Sequence, residues 1–419
     1  MKSNKAKRLR KVNRNTLIAA IDIGKKMNYG YFRAPDGQDI KPFSFLNLRD
    51  GFEVFWSRLV EFQRCHSLEE VVIGFESTGP YAEPMLHFLS DKNVRLVQVN
   101  PMHTKKMKEL TGNSPNKTDE KDPKVIADII ALGHALTLVV PEGPAAELRR
   151  LSQARERAIK ARTSTVNQLQ HLVFIVFPEL SGIIRDMKSK TVLHLMENFP
   201  IPESIPAVGF EAFRATIRKV SRGKLGENRA RKIFEAAQKS IGIREGKESI
   251  QMEIRHLVSK IRDEDSFIES LARQMKHHLK QVPYSDSILS IKGIGEVTAA
   301  GLIGEVGDFR KFSTISEVMK LAGLDLYEIS SGTKKGQRHI SKRGRSYLRK
   351  ILYFAAMNLV RGEGILNAHY RQMVGRGMPK MKALIAMSRK VLRITFAVVR
   401  DNAVYDRNHQ HSLGSKLAA

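Results

Sequence analysis

The sequence predicts an α/β layer followed by a mainly helical, all-α remainder, and three observations predict it. Between residues 16 and 140 short apolar runs alternate with helical stretches. From about Ala145 to Pro283 strand signals largely vanish, while Ile250, Ile254, Leu257, Ile261, Ile268, Leu271 and Met275 keep a heptad spacing interrupted at Glu264. After Ser287 an apolar-Gly-apolar-Gly hairpin opens a second folded domain.

Residues 1–15 carry Lys2, Lys5, Lys7, Arg8, Arg10, Lys11 and Arg14 with no acid, which reads as a disordered basic arm, either phosphate-binding or merely solubilising. In the layer, Leu17 to Asp22, Tyr29 to Phe32 and Pro42 to Leu46 form a three-strand meander with a turn at Asp36-Gly37. A helix around Phe52 to Phe62 follows, then an apolar strand, Val71 to Phe75, ending at Glu76. Next come a helix near Ala82 to Leu89, a strand Arg95 to Val99, a loop, and a helix from Pro123.

The heptad region predicts a long helical, coiled-coil arm, either a dimerisation stalk or an intrachain hairpin. Its less regular middle, roughly Phe177 to Gly246, reads as a small helical insert. Lys219, Arg222, Lys224, Arg229, Arg231 and Lys232 there suit a solvated face or a phosphate backbone. The expected divisions are 1–15, 16–140, 141–285, 286–400 and a polar tail, 401–419.

In the C-terminal domain, Lys292-Gly293-Ile294-Gly295 resembles a helix-hairpin-helix turn, whose backbone N–H groups can approach a phosphate, though a plain helix-helix turn fits too. Between Lys334 and Lys350 stand eight Lys and Arg and no acid: Lys334, Lys335, Arg338, Lys342, Arg343, Arg345, Arg349 and Lys350. That density predicts nucleic-acid contact. Ser330-Ser331-Gly332 lies just before it, an ordinary turn or a hydroxyl at the lip of the basic patch.

The chain of 419 residues holds 71 Lys and Arg against 43 Asp and Glu, a formal charge of +28. Such an excess points to a polyanionic partner, nucleic acid before a membrane surface. No apolar run reaches spanning length and no signal-type segment follows the basic start, so a cytoplasmic protein with no membrane role is expected. A single cysteine, Cys65, excludes an internal disulfide and a cysteine-rich zinc site.

The acids supply the chemistry. Asp22 and Glu76 stand at the C-terminal ends of apolar strands, the edge where α/β sheets carry their sites. Asp119 and Asp122 stand three apart at a helix start, where Asp122, just before Pro123, equally suits capping. Four carboxylates with no His or Cys are hard oxygen donors suited to paired Mg²⁺ ions and phosphodiester chemistry.

Taken in order, Ile21-Asp22-Ile23-Gly24, Glu76-Ser77-Thr78-Gly79-Pro80-Tyr81, Asn100-Pro101, Lys117-Thr118-Asp119 with Asp122, Gly293-Ile294-Gly295, Ala322-Gly323-Leu324, Ser331-Gly332 and Ile340-Ser341-Lys342-Arg343-Gly344 followed by Leu348-Arg349 resemble one family. It is the DEDD transposases of bacterial insertion sequences, kin of the Piv invertase and including bridge-RNA-guided recombinases. The resemblance implies a RuvC-like, RNase H-type N-terminal domain whose Asp22, Glu76, Asp119 and Asp122 bind Mg²⁺. It also implies a C-terminal transposase domain with Ser331 as nucleophile, action on double-stranded DNA, a structured guide RNA, and dimers or tetramers. Pro123 departs from the family, where a small helix former is usual.

Overall fold

The computed structural model describes residues 13, 15–76, 79–111, 121–138, 140–184, 186–328, 336, 338–362 and 364–406. The basic arm (apart from Asn13 and Asn15), Asp119, Ser331, Lys334 and Lys335 lie outside them. The chain divides into two compact units, one of residues up to Arg149 and from Leu279 on, the other Arg150–His278.

The first unit opens with β1 (Thr16–Asp22), β2 (Met27–Arg33), β3 (Phe43–Leu46) and α1 (Arg49–Cys65), which ends at an exposed Cys65. Then come β4 (Glu70–Glu76), α2 (Glu83–Ser90), β5 (Arg95–Val99), α3 (Pro101–Thr111), α4 (Lys121–Ala131) and β6 (Leu136–Thr137). The sheet order is β3-β2-β1-β4-β5-β6, with β1, β4 and β5 parallel and β2, β3 and β6 antiparallel to their neighbours.

β1 reads as an unbroken apolar run because both its faces are covered. Leu17, Ala19 and Ile21 join Phe52, Phe55 and Met85 on one side. Ile18 and Ala20 join Val125, Ile126, Ile129 and Ile130 of α4 on the other. The Arg33–Asp128 ion pair, 2.6 Å, pins α4 across β1 and β2.

α3 occupies the stretch expected as a loop. Asn100 Oδ1 accepts the Met102 N–H at 2.9 Å and Pro101 opens the helix, a local start signal that holds without an amphipathic pattern. α4 begins at Lys121 rather than Pro123. Pro is tolerated there because the first turn of a helix needs no N–H donor.

The second unit is built on α5 (Gly143–Val176) and α9 (Lys247–Leu279), with α6 (Lys190–Asn198), α7 (Phe210–Ser221) and α8 (Glu227–Gln238) between them. The two long helices pack on each other within the chain. Val166, Leu169, Val173 and Val176 share one core with Ile254, Leu257, Val258 and Ile261. Arg162 pairs with Asp265, and Thr165 donates to Glu264 at 3.1 Å, so the polar break in the heptads meets polar partners.

The rest of the first unit holds α10 (Ser285–Leu289), α11 (Glu296–Val306), α12 (Ile315–Ala322), β7 (Leu326–Glu328), β8 (Arg338–Ile340), α13 (Ser346–Arg361), α14 (Ile365–Gly375) and α15 (Lys380–Arg400). The antiparallel pair β7–β8 lies in the mainly helical C-terminal domain, in the stretch expected as a loop. Two glycine motifs explain each other here. Gly323, at φ +63°, ends α12, and a Cβ on Gly344 would lie 2.4 Å from the Gly323 nitrogen and 2.5 Å from the Leu321 oxygen. The backbones cross in contact, tied by Lys342 N–H to Gly323 O at 3.0 Å and Arg345 N–H to Leu321 O at 2.8 Å.

Gly344→Ala must therefore push main chain apart. It should cost about 1–3 kcal/mol, the usual scale for overpacking, read as a lower urea midpoint at an unchanged slope.

Candidate active site

The register of β1 on β4 runs from Thr16 opposite Glu70 to Ile21 opposite Phe75. Asp22 and Glu76 are the next residues, so the two acids finish adjacent parallel strands at one edge, each half-buried. The turn after Asp22 is held rigidly. Buried Asn28 accepts the Gly24 N–H at 3.1 Å, and Asn47 donates to the Gly24 and Tyr81 carbonyls at 3.0 and 3.1 Å. A Cβ on Gly24 would meet the Met27 oxygen at 2.3 Å.

α3 leaves the same edge, directly after β5. Thr104, 2% exposed, donates its hydroxyl to Glu76 Oε2 at 2.7 Å. Four residues on, Lys108 Nζ lies 2.6 Å from Asp122 Oδ1, whose side chain keeps 17% of its exposure. Asp122 sits inside the first turn of α4 and faces a cation, which its position before a proline did not suggest. Residues i and i+4 share a helix face, so one face of α3 serves Glu76 and Asp122 together. Sequence reasoning missed both Thr104 and Lys108; the Asn100-Pro101 start signal was the clue to the helix that carries them.

Three of the four expected Mg²⁺ ligands are thus described, and Asp119 is not. Among the described residues no three His, Cys, Asp or Glu side chains gather closely enough to hold a metal. The donors still suit a hard cation. Asp22, Glu76 and Asp122 offer oxygen only, and Asp122 already engages a positive charge.

The basic stretch divides. Lys342 and Arg343 are exposed, as is Arg338, which pairs with Glu328 at 3.0 Å across the β7–β8 hairpin. Arg345 and Arg349 are half-buried and reach backbone carbonyls. The Arg345 guanidinium donates to the Glu305 carbonyl in the last turn of α11, where the helix dipole favours a cation. Burial, with Arg149 nearby, pulls its pKa down to about 10. Arg349 donates to the Ala322 and Gly344 carbonyls at 3.0 and 2.9 Å and so clamps the glycine crossing. In both arginines the Nη1 donor serves backbone carbonyls. Lys292, Gly293 and Gly295 are exposed between α10 and α11, with Gly293 at φ +109°.

Arg343 also reaches the acid-bearing layer, its Nη1 lying 3.4 Å from His103 Nε2. Burial first, then Arg343 and His134, lower the His103 pKa below its ordinary 6.5. A histidine of lowered pKa stabilises the fold while neutral, so its contribution is complete above the unfolded value and is lost as pH falls below it. The urea midpoint should therefore decline on acidification from about pH 6.5, and His103→Gln should make that decline shallower.

Comparison with known proteins agrees with this architecture. Residues 19–178 match a transposase model of the DEDD, IS110 type, and residues 285–371 match a model described as transposase, IS116/IS110/IS902 family. An insertion element IS110 protein of 43.6 kDa from Streptomyces coelicolor is 22% identical over 96% of this chain and 98% of its own length. An insertion element IS116 protein from Streptomyces clavuligerus is 24% identical over 92% and 95%. A pilin gene-inverting protein of Moraxella lacunata is 30% identical over 30% of this chain and 40% of its own. With two matched regions spanning more than half of its length, in the order its motifs run, the chain belongs to the IS110 family of DEDD transposases of insertion sequences.

Proposed function

We propose that this transposase cuts and rejoins DNA at insertion-sequence ends through a covalent serine–phosphodiester link. Ser331 is the nucleophile, and Asp22, Glu76, Asp119 and Asp122 of a RuvC-like, RNase H-type layer hold Mg²⁺. The observation that carries this reading is the register of β1 on β4, which ends Asp22 and Glu76 side by side on the sheet edge from which α3 departs. Mg²⁺, when bound, would neutralise charge developing on the phosphate oxygens.

The Ser331 hydroxyl attacks the scissile phosphorus. A Ser331 Oγ–P bond forms, and the bond to one deoxyribose oxygen breaks, that oxygen leaving as a hydroxyl. Attack by a new DNA hydroxyl reverses the step, so strands rejoin without ATP. The exposed Lys292, Arg338, Lys342 and Arg343, with Lys334 and Lys335, bind the duplex backbone, which makes affinity fall steeply with salt. A homo-oligomer lets one chain's acids serve another chain's Ser331. A structured guide RNA encoded by the element is the further partner that the charge of +28 accommodates.

Ser331→Ala should abolish covalent protein–DNA adducts and strand exchange while leaving duplex binding intact on native gels. Free cut ends without an adduct, still made by that variant, would instead identify water as the nucleophile of a RuvC-type nuclease. For the acids' support, Thr104→Val should slow cleavage about 10–100-fold, the usual scale for lost outer-shell hydrogen bonds. Thr104→Ser, which keeps the hydroxyl, should recover most of the rate. Equal rates for the two variants would show that Glu76 does not depend on this donor.

A further inference from the structure

α15 lies beyond residues 285–371, the second stretch matched by a family model, and its charge is not used by the fold around it. From Gly364 to Arg400 the sequence holds eight Lys and Arg and no acid. At about 100° per residue, Lys382, Arg389, Arg393 and Arg400 fall within about 40° of one another around the helix axis, a stripe about 27 Å long. Ala386 and Ala397 share that stripe and are small enough to let a backbone approach. The opposite face carries Ala383, Met387, Val391, Ile394 and Val398, all buried, so the cations point away from the core.

These charges lack close partners. Arg400 pairs with Asp401 at 2.7 Å, but among the described residues no carboxylate comes within ion-pair distance of Lys382, Arg389 or Arg393. The Arg389 Nε is buried and makes no hydrogen bond to any described residue. Asp325 is the acid whose charge reaches Arg389, and that carboxylate already accepts the Ser341 hydroxyl. Burial first, then Arg393, pulls the Arg389 pKa down, and burial does the same to Lys390. Cations that are partly desolvated and crowded by their own kind raise the free energy of the chain until something negative covers them.

We infer that this face of α15 is a seat for the phosphate backbone of duplex DNA, with Lys382, Arg389 and Arg393 each meeting a phosphate. The helix runs unbroken from Lys380 to Arg400, so the row of charges is straight. A duplex is a stiff rod carrying about one charge per 1.7 Å of axis, which such a row can follow without bending it. The inference rests on the DNA reading above and adds to it a surface separate in sequence from the Lys334 to Lys350 run. Because Arg389 feels Asp325, the seat borders the root of the β7–β8 pair, between whose strands Ser331 falls in sequence.

Fluorescence anisotropy of the full-length chain with duplexes of unrelated sequence, measured from low to high salt, tests this. Each phosphate contact adds about 0.9 to the slope of log affinity against log salt. The triple variant Lys382→Gln, Arg389→Gln, Arg393→Gln should therefore lower the slope by about 2–3, alike for every sequence. Lys382→Gln with Arg393→Gln, which leaves the half-buried Arg389 in place, should lower it by about 2 and guards against misfolding of the triple variant. Lys219→Gln, Arg229→Gln and Lys232→Gln together remove the same charge from exposed positions of the other unit and should leave the slope near the parental value.

A parental slope in both α15 variants would overturn the seat while leaving DNA binding by the chain intact. An equal drop in the Lys219, Arg229 and Lys232 variant would overturn it too, as an effect of net charge alone. A drop seen with a structured RNA but not with duplex DNA would give the face to RNA and refute the assignment. Absence of duplex binding by the parent chain would sink the DNA reading and this inference together.

Discussion

The parallel pairing of β1 with β4 is the constraint on which the rest depends. Both strands are apolar on both faces, and each face is claimed by a different helical layer. A slip of one residue would turn Leu17, Ala19 and Ile21 toward α4 and Ile18 and Ala20 toward α1, exchanging two differently shaped cores. The register is thus fixed by packing over the strand's whole length. Asp22 and Glu76 inherit that precision because each is the first polar residue past the packed run. The Asn28–Asn47 ties behind the turn after Asp22 and the Thr104 hydroxyl on Glu76 add local support to that placement.

A second constraint organises the C-terminal part. The crossing of Gly323 and Gly344 brings the end of α12 and the start of α13 into backbone contact and sets the root of the β7–β8 hairpin. Ser341 donates to Asp325 there, Oγ to Oδ1, at 2.5 Å. The crossing also sorts the basic residues. Arg345 and Arg349 are drawn in to satisfy helix-end and turn carbonyls, while Lys342 and Arg343, between them and the hairpin, stay outside. One run of cations therefore does two jobs, internal clamp and outward charge.

Much of this was legible in the sequence because it depends on local patterning. The strands near Asp22, Glu76 and Val99 were readable as apolar runs with polar ends, and the heptads of α9 as a helical seam. What was hidden depends on long-range contact. Nothing in the spacing of Lys108 and Asp122 shows that they meet, since the meeting needs α3 and α4 to pack on one sheet edge. The inward turn of Arg345 was equally hidden, because composition cannot separate a guanidinium facing solvent from one facing the Glu305 carbonyl. α3 itself was missed because its apolar pattern is weak; its start is written in two residues, Asn100 and Pro101. The β7–β8 pairing escaped because strands of three residues carry too little alternation to register.

The placement of Cys65 has a practical side. It is the chain's one thiol, it is exposed, and it closes α1 just before β4 begins at Glu70. β4 then runs its full length before reaching Glu76, so sulfur and carboxylates lie at opposite ends of the same strand. Thiol alkylation has a single address on this protein, and that address is at the far end of β4 from Glu76, leaving a handle for maleimide dyes or spin labels that needs no engineered residue.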